Sequence, residues 1–255
     1  MKFLFSFFLF MISISSFAQI NVCLDHWYNR EINAKTGNPY HYLWTDTENS
    51  GFSKLGTVFV SAGAAISSLE KAPLSSDLAK VGIYIIVDPD TTSENPSPNY
   101  LEAADISVIK KWVKKGGVLV LMANDAPNCE FTHLNKLAGE FGIRFNPVIL
   151  NPVTAKNYEM GAEVDLPNHP LFTEVKKIYM KEVASITVTG NATPVLKDKD
   201  DVFIAECSFG KGFVLAIGDP WLYNEYIDNN RLPEGFENGK AAENLVEYLI
   251  LKAGK

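Results

Sequence analysis

VLVLMANDAPNCEFTHLNKL, residues 118–137, is the stretch on which the fold turns. It opens on an apolar run without alternation, the pattern of a strand buried on both faces of a parallel sheet. ANDAPN follows as a tight polar turn, and FTHLNKL resumes at helical spacing. Strand, tight turn and helix is the arrangement in which many α/β enzymes present a nucleophile. Here the turn holds Asn124 and Asp125, with neither Ser nor Cys at its head.

The same unit recurs on either side. Upstream, VGIYIIVD (81–88) is a second buried-strand pattern, ending at Asp88 and followed by the Pro-rich loop PDTTSENPSPNY, which cannot be helical. LEAADISVIKKWVKKGG then places Ile106, Ile109, Trp112 and Val113 on one helical face, with lysines opposite and near its end and a Gly pair to stop it. Further upstream, INVCLDHW reads as the first strand, YNREINAKTGNPYHYLWTDTENSG as a long loop, FSKLGTVFVSAG as a helix and AISSL as a strand. Downstream of Gly142, from about 145 to 216, short strand-like pieces alternate with turns: IYMKEVASITVTG, TPVLKDK, DVFIAECSFGKG and FVLAIGD. GKAAENLVEYLILKAG closes the chain as a helix with Ala242, Leu245, Val246, Leu249 and Ile250 toward the core. The expectation is a parallel α/β sheet flanked by helices, with an antiparallel β extension in the C-terminal half.

MKFLFSFFLFMISISSFAQ has the build of a secretory leader. Lys2 precedes an apolar run, and Ser16 and Ala18 stand three and one residues before a cut after Ala18. The run is short for a membrane span, and Val22 before Cys23 argues against a lipid anchor. Residues 1–18 are therefore expected to be removed, leaving 19–255 as one α/β domain in the periplasm or outside the cell. A formal charge of −7 gives nucleic-acid binding no electrostatic support. Cys23, Cys129 and Cys207 are too few and too far apart for a disulfide framework or a CxxC zinc site; a single disulfide is open to them, and three buried thiols is the preferred reading.

Right-handed crossovers place the loops after parallel strands at one edge, where ligands of such sheets sit. Strand ends deliver Asp25 with His26, Asp88 with Asp90, Asn124 with Asp125, and Asp219 ahead of PWLYNEY. Two of these carboxylates suit general acid and general base roles in glycoside hydrolysis. A cluster of them suits a hard cation such as calcium, the one cofactor this composition invites. The plain alternative is that Asp and Asn at strand ends cap helices and close turns. Aromatics crowd the same loops, Trp27, Tyr28, Tyr40, Tyr42 and Trp44 in the first and Trp221, Tyr223 and Tyr226 in the last, beside Asn224 and Glu225. Aromatic faces next to carboxylates and amides are a common way to hold sugars. His26, His41 and His133 are placed to flank such a crevice, whereas His169 in NHPLF reads as a turn residue. No HExxH and no GxGxxG is present, and GKG at 210–212 reads as a hairpin turn.

The runs VGIYIIVDPDT, GGVLVLMANDAPNCEFTHLNKLAGEFGIRF, HPLF and GKGFVLAIGDPW together resemble the class I glutamine amidotransferase-like superfamily. More narrowly, they resemble its secreted Bacteroidetes-type branch, found beside or fused to unsaturated rhamnogalacturonyl hydrolases. The resemblance implies a flavodoxin-like sheet and a nucleophilic Cys at the position where Asn124 stands. It also implies a catalytic His and Glu near GDPWLYNEY, where this chain offers Asp219 and Glu225 but no His. Without thiolate and base, glutaminase chemistry is rejected. Two readings remain. One is an exported carbohydrate-active protein that binds an acidic plant-type oligosaccharide, as in pectin degradation, with Asp25, Asp88, Asp90, Asp125 and Asp219 as the candidate acid and base residues if it is also a hydrolase. The other is a non-catalytic binding or assembly module that partners a glycoside hydrolase.

Overall fold

The computed structural model describes residues 19–254. The leader assigned to 1–18 lies outside the described residues. In chain order the elements are β1 (Asn21–Asp25), α1 (Ser53–Ser61), β2 (Ala65–Leu69), α2 (Ser75–Leu78), β3 (Ile83–Val87), α3 (Ala103–Lys114), β4 (Val118–Met122) and α4 (Phe131–Gly139). They continue with β5 (Ile143–Phe145), β6 (Ala162–Glu163), β7 (Ile178–Tyr179), β8 (Ile186–Val188), β9 (Thr193–Asp198), β10 (Asp201–Phe209), β11 (Gly212–Ile217) and α5 (Asn238–Ala253).

The main sheet runs β2-β1-β3-β4-β11-β10-β8-β5, with β9 on β10. Its first five strands are parallel, and β10, β8, β5 and β9 extend it with antiparallel pairs. The 2-1-3-4 order is flavodoxin-like, with strand order reversing between β1 and β3. One expectation is corrected here. FVLAIGD was grouped with the antiparallel pieces, yet it forms β11, which pairs in parallel with β4 from Phe213↔Val118 to Ile217↔Met122. Six residues of β11 are fully buried or nearly so, a pattern that belongs in the middle of a sheet rather than at its edge.

Strand residues alternate between two cores. Val22 and Leu24, Ile83, Ile85 and Val87, Val118, Val120 and Met122, and Leu215 and Ile217 pack with α1 and α5 residues on one face. Tyr84, Ile86, Leu119, Leu121, Val214 and Ala216 pack with α3 and α4 residues on the other. Both sheet faces are covered, which is why the strands read as continuous apolar runs. Lys111 and Lys114 sit in the last turn of α3, complementing its dipole. Cys23, Cys129 and Cys207 are buried and free. No helix among the described residues is long and apolar enough to cross a membrane.

Candidate functional site

β1 ends at Asp25, β3 is followed by Asp88, and β4 and β11 reach Asn124 and Asp219 two residues past their ends, so the loops after these four parallel strands bring polar groups to one edge. The structure sorts the strand-end carboxylates into three neighbourhoods. Asp25 is nearly inaccessible: one oxygen accepts from the Trp27 and Tyr28 amides at 3.1 and 2.8 Å, the other from the Tyr84 hydroxyl at 2.5 Å. Burial raises its pKa to about 7 against these hydrogen bonds. The neighbouring His26 is buried too, its Nε2 unpartnered, and burial lowers its pKa.

The second neighbourhood lies at the reversal between β1 and β3. Asp88 takes a left-handed backbone, φ 43°, which Asp tolerates better than most side chains. Its Oδ2 accepts from Asn124 Nδ2 at 2.9 Å, and its carbonyl accepts from Asn29 Nδ2 at 2.7 Å. The Tyr42 hydroxyl lies beside the same carboxyl group, whose pKa burial drives well up. Asp90 accepts from the Arg30 amide at 2.9 Å and from Asn95 Nδ2 at 2.7 Å, with its pKa raised by burial to about 6. Glu94 is half-buried and held to Thr91, and burial raises it to about 7. Glu31 is buried and engages His41 Nδ1 at 2.9 Å and the Tyr40 hydroxyl at 3.1 Å. Asn29 Oδ1, Asp88 Oδ1 and Asp90 Oδ1 are buried without a hydrogen-bond partner.

The third lies between β4 and β11. Asp125 accepts from Asn128 Nδ2 at 2.8 Å, and the Lys181 and Glu182 charges act on it. Asp219, fully buried, accepts from the Trp221 amide at 2.7 Å and the Lys181 amide at 2.8 Å, and burial raises its pKa to about 7. Asn224 caps the next turn by accepting from the Tyr226 amide at 2.9 Å. Glu225 is completely buried and reaches back to α1, where Oε1 accepts from Ser53 Oγ at 2.6 Å and from the Lys54 amide at 2.9 Å. It is a long-range cap for the helix start, whose flanking Phe52 offers no side-chain acceptor of its own.

The strand-end carboxylates thus share an edge, and the charges of both Asp88 and Asp219 act on the buried Tyr42 hydroxyl. Asp25, Asp90, Asp125 and Asp219 spend oxygens on the loops that follow or adjoin them. Among the described residues, no group of three His, Cys, Asp or Glu is arranged to hold a metal ion. Asn124, at the position where the resemblance implies a nucleophile, is an amide bonded to Asp88. Cys129 is buried and its thiol pushed well up by that burial, so no thiolate is prepared nearby.

The aromatics divide by exposure. Tyr28, Tyr42 and Tyr223 are core residues, so the stacking role given to Tyr223 is corrected by its complete burial. Trp27, Tyr40, Tyr100 and Trp221 are half-exposed. Tyr100 stacks on His133 at 4.6 Å between centroids. Two half-exposed tryptophans of the edge carry a cation: Arg30 lies over Trp27 at 5.6 Å and Lys181 over Trp221 at 3.9 Å, whereas Trp44 turns its Nε1 onto the Ser67 carbonyl at 2.9 Å. Asn29, Glu31, Glu94 and Lys181 were not singled out by sequence, since each lies within a loop or between short strands, away from any strand end that marks an edge.

No family model matches the chain, and no curated protein matches it. Solved structures similar to it include the mmIFT52 N-terminal domain, with TM-score 0.67 and 17% identity over 90% of this chain and 97% of that one. Cytoplasmic protein STM3548 from Salmonella typhimurium aligns with TM-score 0.54 and 16% identity over 91% and 98%. Exo-β-1,4-mannosidase Op5Man5 from Opitutaceae bacterium strain TAV5 aligns with TM-score 0.51 and 15% identity over 91% of this chain but 36% of that one. At such identities the likeness shows the fold alone.

Proposed function

We propose that this chain is an exported, non-catalytic binding module that holds an acidic oligosaccharide on its carboxyl-edge loops. The observation that carries the reading is the pair of indole–cation units, Trp27 with Arg30 and Trp221 with Lys181, the latter also paired with Glu182 at 2.7 Å, on an edge where Asp25 and Asp219 are bonded to their own loops. A sugar ring offers an apolar face to an indole, and a uronate carboxylate offers a charge to the neighbouring cation. Export rests on the leader-like first 18 residues. The secreted branch that the sequence resembles, and the occurrence of the fold as 36% of an exo-β-1,4-mannosidase chain, support a place beside a glycoside hydrolase.

Hydrolysis is the second reading, and Glu94 and Asp90 favour it, since values of about 7 and 6 fall where a general acid operates. Titration calorimetry of the full chain against short uronic-acid oligomers, with product analysis of the same samples, separates the two. The module reading predicts binding, intact ligand and a loss of affinity of about tenfold in Trp27→Ala and in Trp221→Ala. Release of new reducing ends by the native chain, abolished in Glu94→Gln or Asp90→Asn, would replace it with the hydrolase.

A further inference from the structure

At the edge opposite the strand-end loops, a second surface has an organisation of its own. The hairpin between β10 and β11 is pressed onto the end of α3: the Lys211 amide donates to the Lys114 carbonyl at 3.0 Å. The approach leaves no room for side chains at the glycines beside Lys211. A Cβ on Gly212 would stand 2.0 Å from the Val113 carbonyl oxygen, and one on Gly210, whose φ is +62°, would stand 2.6 Å from that of Lys114. This docking places Lys211 among Lys111, Lys114 and Lys115, and the four line one concavity of about 380 Å³.

All four lysines are exposed. Lys110, one position earlier, is bonded to Glu140 of α4, but among the described residues none of the four makes an ion pair. In a chain of formal charge −7, four unpaired ammonium groups gathered by a backbone contact form a local field opposite in sign to the whole. Complementing the helix dipole accounts for Lys111 and Lys114 but not for Lys211, which belongs to another element. Lys111 and Lys115 also line an adjoining cleft of about 570 Å³ with Trp112, Gly116 and Gly117. Its size is in the range of small-molecule sites.

We infer that this lysine-rimmed double concavity binds a carboxylated polysaccharide, with the carboxylates at the four lysines and a sugar unit in the cleft beside Trp112. The inference does not rest on the carboxyl-edge reading and involves none of its residues. Concavity with an indole at its wall fits a chain of rings better than a flat anionic membrane, and the acidic whole gives no long-range pull on nucleic acid.

The test is binding of the full chain to polygalacturonate at low salt, for the native protein and for the combined variant Lys111→Gln, Lys114→Gln, Lys115→Gln and Lys211→Gln. Both are measured again in a Trp27→Ala, Trp221→Ala background, where the lysine effect is read free of the carboxyl-edge loops. Exposed Lys→Gln changes keep the helix propensity, and an unchanged melting temperature verifies the fold. The expected result is at least a tenfold loss of affinity in the variant, native binding that weakens steeply as salt rises, and no binding to the fully methyl-esterified polymer. Short oligomers at the Trp27 and Trp221 loops should bind the variant as before, so failure of either reading is visible separately. Equal binding by variant and native protein, equal binding of the esterified polymer, or preference for anionic vesicles or an acidic peptide over the polygalacturonate would each overturn the inference.

Discussion

Asp25 shows how one carboxylate at a strand end is consumed by the fold. Its oxygens organise the Trp27–Tyr28 turn and receive the Tyr84 hydroxyl, and burial raises its pKa to about 7. An unfolded Asp titrates near ~3.9, so between roughly pH 4 and 7 the folded chain binds the extra proton. Stability contributed by this group is therefore present at low pH, lost as pH rises through that window and flat above it. Chemical denaturation at pH 4.5 and 7.5 should show Asp25→Asn with a smaller fall in stability than the native protein. An unchanged fall would mean that Asp25 is not the titrating group. The thiols give a second residue-scale expectation. Cys23, Cys129 and Cys207 are buried and their pKa values raised by that burial, so a thiol reagent should find none in the folded protein and three after denaturation. Fast labelling of Cys129 in the native state would reopen nucleophilic chemistry at the turn after β4.

At the scale of elements, Glu225 ties the last loop to the start of α1 across 172 residues of sequence. Glu225→Ala removes the acceptor for Ser53 and Lys54 from a fully buried site and should lower stability by about 2 kcal/mol, a fall in melting temperature of roughly 4–8 °C. Glu225→Gln, which keeps the acceptor oxygen, should stay close to native. Equal losses in both variants would show that the carboxylate charge, rather than the cap, matters. This contact also marks the limit of what sequence alone displays. The strands β1, β3 and β4 and the helices α3, α4 and α5 are legible because apolar periodicity is a local property of the chain. So is the hairpin at Gly210 to Gly212. The parallel pairing of β11 with β4 is not, because a short buried strand reads the same whichever neighbour it takes. Glu225 likewise reads as a site residue beside aromatics, since nothing local reveals that its partner is a helix start. The same holds for Tyr223, which stands in an aromatic, polar loop sequence but whose side chain fills the core.

For the whole molecule, a parallel sheet covered on both faces brings four polar strand ends to one edge and a lysine cluster to the other. On the edge that the fold makes available for ligands, loops hold the aspartates, while one oxygen each of Asp88 and Asp90 stays buried without a partner. On the reading proposed above, that combination serves recognition: loops held by buried aspartates, with half-exposed Trp27 and Trp221 each beside a cation. Sequence made the gathering of carboxylates and aromatics legible, because strand ends and loop composition are local. Their sorting into three neighbourhoods, and the pairing of each tryptophan with a cation, depend on strand order and loop packing and emerge only in three dimensions. The most direct measurement is prolonged incubation of the native chain with a saturating short uronic-acid oligomer whose binding has been established by calorimetry, followed by chromatography of the sugar. Recovery of the oligomer intact, with Trp27→Ala and Trp221→Ala each weakening binding, is the result expected of a binding module. Time-dependent shortening of the oligomer, lost in Glu94→Gln or Asp90→Asn, would contradict it and make the carboxyl edge an active site.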